Sequence, residues 1–148
     1  MTINKSYHCV YQIHYHIVFP LKFRKALLHP CIEQKIISVA KQIQERYEIK
    51  FEKIGADNDH IHLLCGSHPK YSPGSIVRIF KSITAREIFK AFPEIKKDLW
   101  GGEFWSDGYY VGTVSESEKG NWKTVEEYIN NQGKKPQDVN LHLFKFDV

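Results

Sequence analysis

Two adjacent β-strands and the turn that joins them are predicted by residues 49–66, IKFEKIGADNDHIHLLCG. The segments 49–55 and 60–66 have the length and the apolar content of strands. The polar connection between them, Ala56-Asp57-Asn58-Asp59, contains the Asp and Asn residues that are typical of tight turns. This stretch therefore predicts a β-hairpin.

Further elements are predicted on both sides of this hairpin. Residues 7–20 are rich in β-branched and aromatic side chains, which favours another strand. After the hairpin, a helix-like pattern begins at Ser75 and is limited by Pro93. A strand follows at about 109–115. Between the first strand and the hairpin, Pro30 suits a helix start, and apolar residues follow at spacings of three and four, which indicates an amphipathic helix: Ile32, Ile36, Val39, Ile43 and Tyr47.

The resulting order, β-α-β-β-α-β, predicts an α+β fold with a ferredoxin-like antiparallel sheet and its helices on one face. In this topology the first and third strands are neighbours at the centre of the sheet. An additional C-terminal helix is predicted at about 122–132. A length of 148 residues suits a single domain over 1–148, with a tail from about residue 136 whose role stays open.

The composition narrows the class of protein and of partner. The formal net charge of +4 and the pI near 8.9 favour a polyanionic partner, and the aromatic content of 14% could serve base stacking or the core. Three cysteines without a CxxC spacing predict reduced, mostly buried thiols in a cytoplasmic protein. We find neither a signal peptide nor an apolar run of roughly 20 residues, so no membrane role is expected.

Two histidine pairs carry possible chemistry. His60 and His62 are two residues apart in a predicted strand, so both imidazoles face one side of the sheet. They could hold one divalent cation, or they could be a hydrogen-bonded pair without a ligand. His14 and His16 form a second such pair on the neighbouring strand, which allows either a four-histidine zinc site or packing within the sheet. The intervening residues of the third strand are expected to face the core: Ile61, Leu63 and Cys65.

The predicted C-terminal helix places a tyrosine and a glutamine on one face. Thr124 and Glu127 resemble a capping box, and Gly133 is a natural stop. Tyr128 and Gln132 lie one turn apart. Tyr128 could be an ordinary core residue, but a buried amide such as that of Gln132 requires partners, and a metal ion would supply one.

These motifs occur together in a known family. The sequence resembles the single-tyrosine HUH transposases (TnpA type) of small prokaryotic insertion sequences. The resemblance covers most of the chain and is carried by four segments: YHIVFPLKFRKALL (15–28), DHIHLLCGSHPKYS (59–72), IVRIFKSITAREIFKAFPEIKKDLWGGEFWSDGYYVGTV (76–114) and VEEYINNQGK (125–134).

The resemblance implies an activity and a site. His60 and His62 match the family's metal ligands, Gln132 matches the third ligand, and Tyr128 matches the nucleophile. It implies a DNA transposase that cleaves and rejoins single-stranded DNA at insertion-sequence ends through a 5′-phosphotyrosine intermediate. It further implies recognition of DNA hairpins, a divalent cofactor (Mg²⁺ or Mn²⁺), and a homodimer. In that dimer the tyrosine helix could pack in cis, or it could complete the metal site of the other subunit in trans.

Basic and aromatic residues supply candidate DNA contacts. Five basic side chains could bind phosphates, although each could equally be a solvated surface charge: Lys22, Arg24, Arg78, Lys81 and Arg86. Three aromatic residues of the predicted loops could stack on bases or fill the core: Tyr71, Phe104 and Trp105.

Two other functions compete with transposition. One is a non-catalytic RNA- or DNA-binding module, since the same sheet architecture serves RNA recognition, although we find no RNP-type strand motif. The other is a metal-dependent phosphodiesterase in which Tyr128 is structural. Only a tyrosine nucleophile would leave DNA covalently attached to the protein.

Overall fold

The computed structural model describes residues 3–21, 28–57, 59–99, 102–114 and 142–145. Its elements, in chain order, are β1 (Asn4–Lys5), β2 (Val10–Tyr11), β3 (His14–Pro20), α1 (Pro30–Arg46), β4 (Ile49–Ala56), β5 (His60–Ser67), α2 (Pro73–Ala91), a 3₁₀ helix (Pro93–Asp98), β6 (Tyr110–Thr113) and β7 (His142–Lys145).

The main sheet is antiparallel throughout, in the order β6-β3-β5-β4-β7. The first four of these strands, with α1 and α2 between them in the chain, form the predicted ferredoxin-like β-α-β-β-α-β unit, so the predicted fold class is confirmed. The expectation that the first and third predicted strands are neighbours is also confirmed, because β3 pairs with β5 along its whole length.

The strand predicted over residues 7–20 is divided in the structure. Val10–Tyr11 pairs with Asn4–Lys5 in a separate two-stranded sheet, and the chain joins the main sheet only from His14. One continuous stretch of β-forming residues therefore contributes to two sheets. The available pairing partners, rather than β-propensity, decide which residues pair in each sheet.

Both helices begin at a proline in the first turn. In α1 the predicted apolar face is buried at Ile32, Ile36, Val39 and Ile43. In α2 the first helical residue is Pro73, two residues before the predicted start, because the Ser72 hydroxyl caps the helix by accepting a hydrogen bond from the Ser75 amide at 3.1 Å.

The hydrophobic core lies between these helices and one face of the sheet. Ile61, Leu63 and Cys65 of β5 belong to it, together with the buried faces of α1 and α2, as predicted. Because side chains alternate along a strand, His60 and His62 lie on the face of the sheet opposite to both helices. That face therefore carries both predicted histidine pairs.

Two loop aromatics fill this core instead of facing solvent. Phe104 and Trp105 are buried and pack edge-to-face on each other. The Trp105 indole donates a hydrogen bond to Thr84 Oγ1 at 2.9 Å, and the Thr84 hydroxyl donates to the Phe80 carbonyl at 2.6 Å. The core-filling alternative is therefore correct for both. Tyr71 is half-buried against Tyr47.

Thr84→Val should lower the free energy of unfolding by about 1–3 kcal/mol, because the buried indole N–H of Trp105 would lose its acceptor in a side chain of equal shape. Urea unfolding followed by tryptophan fluorescence measures the change. Thr113→Val is the matched control, since Thr113 is exposed on β6. Equal stabilities of the two variants would show that the Trp105–Thr84 bond contributes nothing.

The C-terminal tail contributes a strand that the sequence did not predict. Residues 142–145 pair with Lys53–Ala56 of β4 and extend the sheet by one edge strand. Four residues are too few to show an alternating pattern, so such a strand depends on an available sheet edge. The predicted helix at about 122–132 lies outside the described residues.

The structure tests two sequence expectations, that the thiols are reduced and mostly buried and that no segment crosses a membrane. All three cysteines are free thiols, but only Cys65 is buried, whereas Cys9 is half-buried and Cys31 is exposed. The expectation of mostly buried thiols is therefore correct for Cys65 alone. None of the helices in the described part of the chain has the length and apolar character that crossing a membrane requires.

Candidate metal centre

The centre is built on β5, the middle strand of the sheet. Its two histidines, His60 and His62, have ring centroids 5.2 Å apart, and both are buried. Alternation along the strand brings them to one face, as predicted. The structure thus brings together the first two of the predicted metal ligands.

His62 is hydrogen-bonded to a histidine of the neighbouring strand. Its Nδ1 lies 3.2 Å from Nε2 of His16. In the antiparallel register His62 is opposite Val18 and His16 is opposite Leu64, so the two histidines are diagonal neighbours on one face. The side chains of both are almost inaccessible, with exposed fractions of 0% for His62 and 1% for His16.

Burial keeps this histidine pair neutral. It lowers the pKa of His16 from the ordinary 6.5 to about 4. Burial, followed by the nearby imidazoles of His60 and His16, lowers the pKa of His62 well below its ordinary value. A neutral imidazole is the form that binds a metal ion, so the environment of His62 suits a ligand at pH 7.

His60 is paired with a carboxylate at the end of the hairpin. Its Nδ1 lies 2.7 Å from Oδ1 of Asp59. Asp57, Asp59 and His60 form the one group of three or more possible ligands within 4.8 Å of one another that the described residues contain. The sequence had assigned both aspartates to the turn alone, although Asp-x-Asp immediately before His-x-His is a visible signal. Carboxylate oxygens are ligands that hard cations such as Mg²⁺ prefer.

His14 is engaged away from this centre. Its Nδ1 lies 2.6 Å from Oε1 of Glu52, and both side chains are largely buried. Its cross-strand partner is Gly66, where a Cβ would lie 3.4 Å from the imidazole. The imidazole therefore lies beside Gly66 of β5 and reaches Glu52 on β4. Within the described ranges no cluster of four histidines forms, so the zinc-site alternative gains no support.

Comparison with known proteins places this geometry in a family. Residues 9–132 match the family model described as "Transposase IS200 like". The chain belongs to this family. It is 28% identical to the ISDra2 transposase TnpA of Deinococcus radiodurans over 132 residues, which are 89% of this chain and 92% of that protein. It is also 28% identical to the transposase for insertion sequence element IS200 of Salmonella typhimurium, over 84% of this chain and 80% of that protein.

Solved structures agree with this assignment. A crystal structure of a putative transposase from Deinococcus radiodurans superposes on this chain with a TM-score of 0.72 at 29% identity. The superposition covers 89% of this chain and 99% of the Deinococcus chain. A REP-associated tyrosine transposase bound to a REP hairpin has the same fold, with a TM-score of 0.51 at 12% identity and coverage of 94% and 80%.

The remaining predicted site residues of the transposase fall into three groups: exposed arginines, residues outside the described part of the chain, and Lys81. Arg78 and Arg86 are exposed on α2, and Arg86 Nε lies 3.6 Å from Glu87 Oε1. Contacts of these arginines with phosphates stay a prediction. Outside the described residues lie Tyr128, Gln132, Lys22 and Arg24.

Lys81 has a structural role in the transposase. Its ammonium donates to the carbonyls of Ser106 at 2.6 Å and Gly108 at 3.0 Å, and it lies 5.2 Å from the Phe19 ring centre. Burial lowers its pKa. Lys81 therefore ties α2 to the loop before β6, and a phosphate would have to compete with two carbonyls for it.

The stability of the metal-free transposase should fall between pH 6.5 and about pH 4. The folded state keeps His16 and His62 neutral, whereas the unfolded chain protonates them below about pH 6.5, so acid favours unfolding. The expected loss is on the order of 1 kcal/mol per pH unit for each histidine. Urea unfolding at several pH values in the presence of a chelator measures it. His16→Gln should make the slope shallower and His8→Gln, at an exposed position, should not. Identical slopes would contradict the prediction.

Proposed function

We propose that this IS200-like transposase cuts one DNA strand and rejoins it through a covalent bond to Tyr128. The observation that carries this proposal is the pair of buried imidazoles, His60 and His62, facing one side of the central strand. The family assignment supports the same activity, because this pair and Tyr128 lie within the matched residues 9–132.

A divalent ion, Mg²⁺ or Mn²⁺, fits the residues of this centre. His60 and His62 would hold it together with Gln132. The fit is supported by the low pKa of His62 and by the burial of both imidazoles on one side of β5. When bound, the ion would polarise the scissile phosphodiester and leave positions for its oxygens. Mixed imidazole and oxygen ligation suits Mn²⁺, and carboxylates nearby extend the choice to Mg²⁺.

The chemical step is a transesterification. The Tyr128 phenol loses its proton and its oxygen forms a bond to phosphorus, while the bond from phosphorus to the 3′ oxygen breaks. The leaving oxygen takes up a proton and becomes a 3′-OH, and the 5′ end stays attached to the protein. Because the phosphotyrosine ester conserves the bond energy, a second 3′-OH can attack it and rejoin strands without ATP. A hydrolase would instead transfer the phosphoryl group to water, and the energy of the bond would be lost.

We further propose single-stranded DNA with hairpin ends as the substrate and a homodimer as the active form. The relative bound to a REP hairpin shares the fold of this chain, which supports a hairpin ligand. The net charge of +4 and exposed arginines such as Arg78 favour a phosphate backbone. In the dimer, the segment with Tyr128 from one subunit would complete the metal site of its partner.

Trapping the covalent product tests this function. The protein is incubated with Mn²⁺ and single-stranded oligonucleotides from the sequence that flanks its gene, and the products are separated by denaturing electrophoresis. A protein–DNA adduct whose modified peptide contains Tyr128 supports the proposal. Cleavage without an adduct would indicate a phosphodiesterase, and binding without cleavage a nucleic-acid-binding module.

A further inference from the structure

The contact between His16 and His62 connects two strands at the centre of the sheet, on the face opposite to the helices. Nε2 of His16 lies 3.2 Å from Nδ1 of His62, a hydrogen-bond distance between two ring nitrogens. The rings are tilted by 33° with centroids 5.4 Å apart, so they do not stack face to face. The antiparallel register of β3 and β5 holds them as diagonal neighbours. The contact is thus determined by the sheet itself.

A hydrogen bond between two neutral imidazoles fixes the tautomer of both. Each ring has a single N–H, and the nitrogen without it carries the lone pair. If His62 donates from Nδ1, its lone pair is on Nε2, where it can bind a metal ion. If His16 donates instead, the proton of His62 is on Nε2 and that nitrogen cannot be a ligand. The direction of this one bond therefore decides whether His62 can serve the metal centre.

We propose that His16 is a positioning residue for the metal centre: its Nε2 accepts the Nδ1 proton of His62 and thereby presents Nε2 of His62 to the divalent ion. This inference rests on the proposed function, in which His60 and His62 hold that ion. His16 then carries its own proton on Nδ1. It touches neither the ion nor the DNA, and it acts through the orientation and the tautomer of His62.

The surroundings of the pair favour this role. Exposed fractions of 0% and 1% exclude bulk water as a substitute acceptor, so loss of the His16 ring would leave a buried N–H of His62 without its acceptor. His60 has a matching arrangement, because its Nδ1 lies 2.7 Å from the Asp59 carboxylate. Both rings of the metal centre are therefore oriented through Nδ1, one by a carboxylate and the other by an imidazole.

The structure also supplies the matched control. His14 is on the same strand and the same face as His16, and it is buried to a similar degree. Its Nδ1, however, pairs with Glu52 rather than with a residue of the metal centre. Changes at position 14 therefore reproduce the loss of a buried imidazole from the same strand, one that is paired with a carboxylate rather than with His62.

Mn²⁺ binding to the full chain, measured by isothermal titration calorimetry, tests the proposal. His16→Leu should weaken Mn²⁺ binding by about 10- to 100-fold, the range typical of lost outer-shell partners. His16→Gln should restore most of the affinity, because the Gln carbonyl oxygen can accept the same proton. His14→Leu should bind Mn²⁺ as the wild type does. If His16→Leu and His14→Leu bind equally, or if Gln rescues no better than Leu, the proposal is wrong.

The tautomer can be observed without any variant, which covers the case in which His16→Leu does not fold. Nitrogen-15 NMR of the metal-free wild-type protein should show the His62 proton on Nδ1 and the lone pair on Nε2. A proton on Nε2 of His62 would overturn the proposal. Failure of the underlying function has a different signature: His62→Ala would then bind Mn²⁺ as the wild type does, whatever the tautomer.

Discussion

Tyr128→Phe should abolish the protein–DNA adduct and lower the rate of strand cleavage by at least about 1,000-fold. The substitution removes only the phenolic oxygen, which is the atom that the proposed step joins to phosphorus. Cleavage by water would not conserve the bond energy in a covalent adduct. Single-turnover cleavage of a labelled oligonucleotide in Mn²⁺, resolved by denaturing electrophoresis, measures both quantities. Because the variant keeps the ring, binding of DNA and of Mn²⁺ should change little.

Tyr7→Phe is the control for this experiment, since the Tyr7 side chain is 92% exposed and lies outside the family match. It should cleave and form adducts at the wild-type rate. Cleavage by Tyr128→Phe at a rate comparable to that of the wild type would assign the nucleophile to water or to another residue. The chain would then be a metal-dependent nuclease rather than a strand transferase.

His62→Ala should weaken Mn²⁺ binding by more than about 100-fold and reduce cleavage in parallel. A direct ligand is expected to contribute more than the 10- to 100-fold that is typical of an outer-shell partner such as the proposed role of His16. Calorimetric titration with Mn²⁺ and single-turnover rates at several Mn²⁺ concentrations measure the two effects. Excess Mn²⁺ should recover part of the rate if the ion acts in the chemical step.

The control for His62→Ala is His14→Ala, which also removes a buried imidazole from the same sheet face, but one that is paired with Glu52. Thermal unfolding of both variants establishes that each remains folded. Wild-type Mn²⁺ affinity in His62→Ala would exclude this residue as a ligand. The Asp57, Asp59 and His60 group would then be the alternative location for the ion.

Several features of the fold could be predicted because they depend on local periodicity. The spacing of apolar residues from Ile32 to Ile43 predicted the buried face of α1, and alternation along β5 predicted that Ile61 faces the core while His62 faces away. The order of the elements then predicted that β3 and β5 are neighbours. Such patterns survive folding because core burial requires them.

Other features escaped the sequence because they depend on which residues meet in space. The division of residues 7–20 between two sheets and the strand at 142–145 both depend on available pairing partners. Nothing in the spacing around Lys81 indicated that two carbonyls would accept hydrogen bonds from its ammonium, and its contact with phosphate stays a prediction. The sequence assigned Asp59 to the turn alone, whereas in the structure its carboxylate also contacts His60.

By itself, the sequence determined the class of fold, the strand that carries His60 and His62, and the family to which the chain belongs, because each of these is encoded in spacing along one chain. Only the tertiary structure decided which of two similar histidines, His14 or His16, contacts His62. The register of β3 against β5 sets His16 diagonal to His62, while His14 lies opposite Gly66 and pairs with Glu52 on β4. A shift of a single residue in that register would move every side chain of β3 to the opposite face.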